Sequence, residues 1–178
     1  MILTFDDGPD PRFTPQVLDV LAEAGVQARF YCVGRRALAW PEIVRRIAAE
    51  GHVVGSHTMT HPDLSKLDPF AAMSNIRAGK RAVEKALGEP VPRFRAPFGH
   101  LGVSGRIALA ALRLEHDHWD LDAEDWAPDV ESSALFAKIR HLGPDAVVLL
   151  HDGAESPADP AGLDRSQTVE ALRLLFGL

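Results

Sequence analysis

Ala146-Val147-Val148-Leu149-Leu150, running into His151-Asp152, is the stretch that decides the fold. Every residue from Ala146 to Leu150 is apolar, so the segment reads as a strand buried on both faces, the habit of a parallel sheet. Helix-period segments flank it, Ser133 to His141 before and Gln167 to Phe176 after. The same alternation fills the rest of the chain. Ile2 to Phe5 reads as a strand, and Thr14-Pro15 predicts an N-cap and first turn for a helix bearing Val17, Leu18, Leu21 and Ala22, stopped by Gly25. Ala28 to Val33 is the next strand; Pro41 opens a helix with Ile43, Val44, Ile47 and Ala48 on one face; Val53-Val54 begins a short strand. Asp68-Pro69 caps a helix carrying Met73, Ile76, Val83 and Leu87 and closed by Gly88. Phe94-Arg95 reads as a strand end, Ile107 to Leu112 as helix, and Glu115 to Leu121 as one extended segment. That makes six strands, each followed by a helix or long loop, and implies an α/β fold of right-handed βαβ units. Asp152 to Asp164 is the longest loop-like stretch and is expected at the surface.

Length and composition narrow the function. The 178 residues predict a single domain over 1–178, and 46% apolar with 25% charged residues is ordinary for a globular chain. A net charge of −6 argues against a nucleic-acid binder, which needs a basic face. No apolar run reaches the ~18 residues of a membrane span, and the N-terminus lacks the charged and long apolar regions of a signal peptide. The one cysteine, Cys32, sits in an apolar run and reads as a small buried hydrophobe.

Parallel α/β folds place their ligands at the C-terminal ends of strands. Here those ends carry Asp6-Asp7, then His57-Thr58-Met59-Thr60-His61, then Arg95, then Asp122 and Asp125, and finally His151-Asp152. Each piece alone has a plainer reading. Asp-Asp-Gly-Pro is a common turn, two histidines four apart occur by chance among eight, Arg95 could be a structural ion pair, and His151 a satisfied buried imidazole. Their convergence on one rim is the informative feature. Two neutral imidazoles and a carboxylate suit a divalent metal of the zinc, cobalt or nickel type. Adjacent aspartates on an extended chain point in different directions, so one can bind metal while the other stays beside the water that the metal activates. A histidine from another strand can protonate a leaving group. The set reads as hydrolysis of an amide or an ester.

Thr4-Phe5-Asp6-Asp7-Gly8-Pro9, His57-Thr58-Met59-Thr60-His61, Arg95-Ala96-Pro97-Phe98-Gly99, Asp122-Ala123-Glu124-Asp125-Trp126 and Leu149-Leu150-His151 resemble, in order and spacing, the five motifs of the NodB-type polysaccharide deacetylases, carbohydrate esterase family four. Gly34 and Gly51-His52 fit the same pattern. The resemblance implies a distorted (β/α) barrel of about seven parallel strands and metal-dependent removal of acetyl groups from an N-acetylglucosamine-containing carbohydrate, peptidoglycan or chitin-like. It implies Asp7, His57 and His61 as ligands of one divalent ion, zinc first, with cobalt or nickel as alternatives. It implies Asp6 as general base, Arg95 as the partner that orients it, His151 as general acid, and Asp125 as the residue that tunes His151. The backbone N–H of Phe98 is expected at the oxyanion, with Pro97 beside it on the substrate side and Trp126 and Leu149 around the acetyl methyl. The family's usual site of action places the protein outside the cytoplasm or in the cell envelope.

Some positions depart from the family. Phe98 stands where Tyr or Trp is usual, and Arg29 where a threonine is common. The family's closing strand after the last helix is expected to be missing from this chain, which leaves one barrel seam open or covered by a partner. Trp40, Trp119, Trp126 and Tyr31 are all expected in the core, leaving few platforms for sugar stacking. Three other activities fit the same residues less well: an O-acetyl esterase of xylan type, an amidohydrolase on a small cyclic amide, and a non-catalytic carbohydrate-binding protein.

Overall fold

The computed structural model describes residues 1–127, 129–154 and 163–178. Seven strands form one sheet: β1 (Ile2–Asp6), β2 (Arg29–Cys32), β3 (Val53–Ser56), β4 (Arg93–Phe94), β5 (Glu115–His116), β6 (Leu121–Asp122) and β7 (Val147–His151). Their order is β5-β4-β3-β2-β1-β7-β6, and every pair is parallel. The segment expected as one strand from Glu115 to Leu121 is therefore two strands, and they lie on opposite edges of the sheet. That correction explains the shape. Six spacings of ~4.8 Å would put the edges of a flat sheet ~29 Å apart, whereas the chain from His116 to Leu121 reaches at most ~18 Å. The sheet must curl, so the strands form an open, distorted (β/α) barrel in which Asp117 to Asp120 cross the seam. The five-residue strand β7, next to edge strand β6, pairs with β1 from Ile2↔Val147 through Asp6↔His151.

Helices α1 (Thr14–Ala24), α2 (Gly34–Ala39), α3 (Pro41–Ala49), α4 (Pro69–Leu87), α5 (Gly102–Leu112), α6 (Ser132–Ile139) and α7 (Ser166–Phe176) cover the outer face. Leu3, Phe5, Phe30, Val148 and Leu150 point outward and join Leu18, Leu21, Val44, Ile47, Leu135 and Leu172 of the helices in one buried cluster, with Cys32 among them. The loop predicted between Asp152 and Asp164 falls largely outside the described residues.

Three local readings are corrected. Helix α2 was not foreseen, because six residues are too few to show a helical period. Thr14 does not cap α1: its hydroxyl accepts from the Asp10 N–H and donates to the buried Asp152 carboxylate at 2.6 Å. Trp126 and Trp40 are exposed at 47% and 39%, so they are not core residues, whereas Tyr31 is buried. Asp68 does cap α4, accepting from Phe70 and Ala71, and Gly88 closes it in the left-handed region.

The alternate residues of the strands face inward, and there the barrel is polar. Arg95 is fully buried between the rings of Tyr31 (4.2 Å) and Trp119 (5.5 Å). Tyr31 lies opposite Gly55, where a Cβ would sit 2.5 Å from the tyrosine ring, so only glycine leaves room for it. Below it Asp117 accepts from the Tyr31 hydroxyl at 2.6 Å and Arg93 at 2.7 Å, with Arg29 at 3.6 Å. Arg29 thus helps to pin the seam-crossing segment from inside.

Candidate active site

The register of β1 places Asp6 between Tyr31 on one side and His151 on the other, at the mouth of the barrel. Above it a cavity of about 410 Å³ is lined by Asp6, Asp7, His57, His61, Phe98, Trp119, Asp122, Trp126, Leu149, His151, Ala154 and Arg165. Arg95 and Asp125 lie behind this lining, buried and in contact with it. Pro97, expected on the substrate side, is buried at the start of the Phe98 turn, behind the cavity lining.

Arg95 donates to Asp6 Oδ1 at 2.9 Å, to Thr4 Oγ1 at 2.7 Å and to the His118 carbonyl at 3.2 Å. The guanidinium therefore holds one oxygen of Asp6 and leaves Oδ2 on the cavity side, 3.7 Å from His57 Nε2. Asp7 turns the other way. Its Oδ1 lies 3.5 Å from His57 Nε2 and 3.1 Å from His61 Nε2. His57 Nδ1 is 2.9 Å from the Arg95 carbonyl, an acceptor only, so that nitrogen carries the proton and Nε2 presents its lone pair. Burial alone would push the Asp7 carboxyl up, but the two imidazoles hold it well below its ordinary range. Burial likewise pushes the His57 imidazole down, and the Asp6 and Asp7 carboxylates more than reverse this, raising it.

The backbone pays for this convergence in conformational strain. Asp7, Thr58, His61 and Phe98 all have positive φ, at 70°, 66°, 57° and 57°, four of the seven such non-glycine residues among those described. Each costs about 1–3 kcal/mol and persists only where neighbours enforce it. The neighbours of the histidine turn are identifiable. Asn75 of α4 accepts from Met59 N–H at 2.8 Å, the first N–H groups of α2 donate to the Thr58 and Met59 carbonyls, and the Thr58 hydroxyl accepts from His61 N–H at 3.0 Å. Gly79 of α4 touches the same turn: a Cβ there would stand 2.2 Å from the Thr58 carbonyl carbon.

Across the cavity, His151 Nδ1 is 2.7 Å from Asp125 Oδ1, while Asp125 Oδ2 accepts from His151 N–H at 2.9 Å and from Thr168 Oγ1 at 2.6 Å. Burial would lower the imidazole, but the Asp125 charge and hydrogen bond, with Asp7 and Asp6 further off, raise it to about 9. Asp125 itself is held low against its burial by His151 and Thr168. Next to His151, burial and the Asp7 charge, partly offset by Thr14, push Asp152 up to about 7. Thr168, Gln167 (donating to the Asp125 carbonyl at 2.8 Å) and Arg165 in the cavity wall escaped the sequence reading, since a helix start is full of polar residues that usually serve only the helix.

Metal fit can be judged from these atoms alone. Asp7 Oδ1 is buried with no hydrogen-bond donor, and ligand atoms of Asp7, His57 and His61 lie within 4.8 Å of one another. An orphaned carboxylate oxygen beside two imidazole Nε2 atoms has the donor set of a cation site.

A parallel α/β barrel whose mouth sets a carboxylate–imidazole cluster across from a further imidazole is the setting of a hydrolase. The family model of the polysaccharide deacetylases matches residues 1–117, and the chain belongs to that family; it is a polysaccharide deacetylase. It is 43% identical over 186 residues to a chitooligosaccharide deacetylase of Bradyrhizobium sp., covering 98% of this chain and 81% of that one. It is 39% identical over 173 residues to a peptidoglycan-N-acetylglucosamine deacetylase of Bacillus cereus, covering 96% and 76%. A family 4 acetyl xylan esterase from Clostridium thermocellum, solved with a cobalt ion, superposes with a TM-score of 0.84 at 28% identity over 99% of this chain and 81% of that one.

Proposed function

We propose that this protein hydrolyses the acetamido group of N-acetylglucosamine units in a glycan, using a divalent cation held by Asp7, His57 and His61. The observation that carries the reading is the donorless Asp7 Oδ1 beside two imidazole Nε2 atoms, with His151, held by Asp125, across the same cavity. Bound there, zinc, cobalt or nickel supplies Lewis-acid polarisation and makes a water acidic enough to give up a proton near neutral pH. Asp6 would accept the proton of the attacking water on Oδ2, because Arg95 occupies Oδ1 and fixes the carboxylate plane. The Phe98 N–H stabilises charge on the acyl oxygen. Leu149 and Trp126, both in the cavity lining, wall the place of the acetyl methyl. Asp125 holds His151 Nδ1, so the proton on Nε2 is delivered to the departing amine. The exposed faces of Phe98 and Trp126, 59% and 47% accessible, flank the mouth and offer the sugar ring its stacking surfaces. No helix among the described residues is long and apolar enough to cross a membrane. The Bacillus relative's peptidoglycan substrate supports action at the cell envelope.

The test is release of acetate from acetylated chitooligosaccharides by protein loaded with zinc or cobalt. Acetate release is expected, and Asp6→Asn should keep the metal while losing ~10²–10⁴ in turnover. No acetate from any N- or O-acetylated glycan with metal bound would remove the proposal. Release from acetylated xylan alone would replace the amide by an ester.

A further inference from the structure

A second cleft, of about 440 Å³, opens beyond the Phe98 turn and is lined by Ser65, Gly99 to Gly102, Arg106, His116 and His118. Its size falls in the ~300–1,000 Å³ range of small-ligand sites. Its lining combines basic side chains with backbone of the Phe98 turn. The chain carries a net charge of −6, yet no carboxylate lines this cleft, while one guanidinium and three imidazoles do. Arg106 is exposed on α5 and makes no hydrogen bond or ion pair among the described residues. His116 accepts the Ala96 N–H on Nε2 at 3.3 Å, so its proton sits on Nδ1, and its ring meets the His118 ring edge-on at 4.2 Å. Burial, then His118, lowers His116 to about 4, so at neutral pH it is an uncharged donor. His100 is engaged by Asp63 at 3.2 Å. Gly99 and His100 follow directly on Phe98, and Gly99 lies against Trp119 of the reaction cavity, so the two hollows adjoin across this turn.

We propose that this cleft is a subsite for a carboxylate borne by a sugar unit adjoining the one that is deacetylated, with Arg106 as the residue that recognises it. One free guanidinium beside the His116 N–H donor matches a single planar anion, which arginine binds through two parallel N–H groups. A polyphosphate or a nucleic acid would need a row of fixed cations, and only one is present here. Two kinds of sugar carry such a group, those with a lactyl ether and the uronates. The inference rests on the deacetylase reading only for the identity of the neighbouring cavity.

The test follows the histidine ring-proton NMR signals of the metal-loaded protein during titration with N-acetylmuramic acid, glucuronic acid and N-acetylglucosamine. The His116 and His118 signals should move saturably with the first two sugars and stay still with the third, and the tighter of the two acids identifies the source of the carboxylate. Arg106→Gln should weaken the acid response at least tenfold, and Arg106→Lys less. Equal movement with the neutral sugar, an acid response unchanged in Arg106→Gln, or no response to either acid would each overturn the subsite. Acetate release from chitotetraose, measured on the same samples, reports on the reaction cavity separately. Its absence in both proteins would count against the proposed function, while the titration still decides the subsite.

Discussion

The two sides of the reaction cavity are built by different means. On the early side, Asp7, His57 and His61 are aimed by the backbone: Asp7, Thr58 and His61 sit at positive φ, and the histidine turn is clamped between α2 and α4 by main-chain contacts. On the late side, His151 ends a regular strand, and its direction is set by side chains, the Asp125 carboxylate and the Thr168 hydroxyl behind it. A cation site needs several atoms fixed within a few tenths of an ångström, which strained but enforced backbone delivers. A proton donor needs one atom and a tuned affinity for its proton, and a charged partner delivers that.

The sharpest break between the sides comes from deleting one residue on each. His61→Ala should abolish metal retention and turnover together, read as metal content after dialysis and as acetate release. Asp125→Asn should keep the metal and lose ~10²–10⁴ in turnover. Its pH profile carries the diagnostic sign. His151 is protonated, and competent as an acid, below about 9, so the rate should fall as pH rises through that value. Without the Asp125 charge the imidazole drops toward its free value of ~6.5, and the alkaline limb should move down in pH. The early side should respond to acid instead. The apo His57 imidazole holds its proton more tightly than usual, so metal affinity should weaken as pH falls through that raised value. Equal metal loss in both variants would erase the distinction.

Gly79→Ala is the next largest expected effect and probes the early side from outside the motifs. Alanine is the better helix former by ~1 kcal/mol, which predicts a gain inside α4. Against this, the new methyl would stand 2.2 Å from the Thr58 carbonyl carbon and 2.5 Å from its oxygen, and backbone cannot swing aside. Overpacking of this kind costs ~1–3 kcal/mol, so it wins. The variant should melt lower and bind metal more weakly, while the His151 limb of the pH profile stays in place. A higher melting temperature with unchanged metal affinity would show that the turn is not held by α4.

Gly79 also marks where the sequence stops being legible. The five strand-end motifs could be read because each carries its chemistry within five or six consecutive residues, and because β7 announces a buried parallel strand. The supports of the site lie one element away. Gly79 and Asn75 look like ordinary helix residues, and nothing local says that they face Thr58 and Met59. The split of Glu115 to Leu121 into two strands was hidden for a similar reason: β5 and β6 have two residues each, too short for a period, and only the curl of the sheet sends them to opposite edges. Trp126 was misjudged because a tryptophan beside a buried aspartate reads as core, whereas it lies in the loop after β6, half-exposed at the rim of the cavity.

The smallest expected effect tests whether the late side is truly held by side chains. Thr168 belongs to α7, some forty residues after Asp125, and its buried hydroxyl donates at 2.6 Å to the carboxylate oxygen that also receives the His151 N–H. Thr168→Val keeps the shape and removes the donor. Hydrogen bonds to charged groups are worth about 1.5–3 kcal/mol, but Asp125 Oδ2 retains one donor and Oδ1 keeps His151, so only part of that should reach the transition state. A fall in kcat of about tenfold is expected, with KM and metal content unchanged, since Thr168 touches neither cavity nor ligands. Thr168→Ser restores the hydroxyl and should recover most of the rate. If valine and serine behave alike, the threonine serves only to pack α7 against the sheet, and Asp125 is positioned by His151 alone.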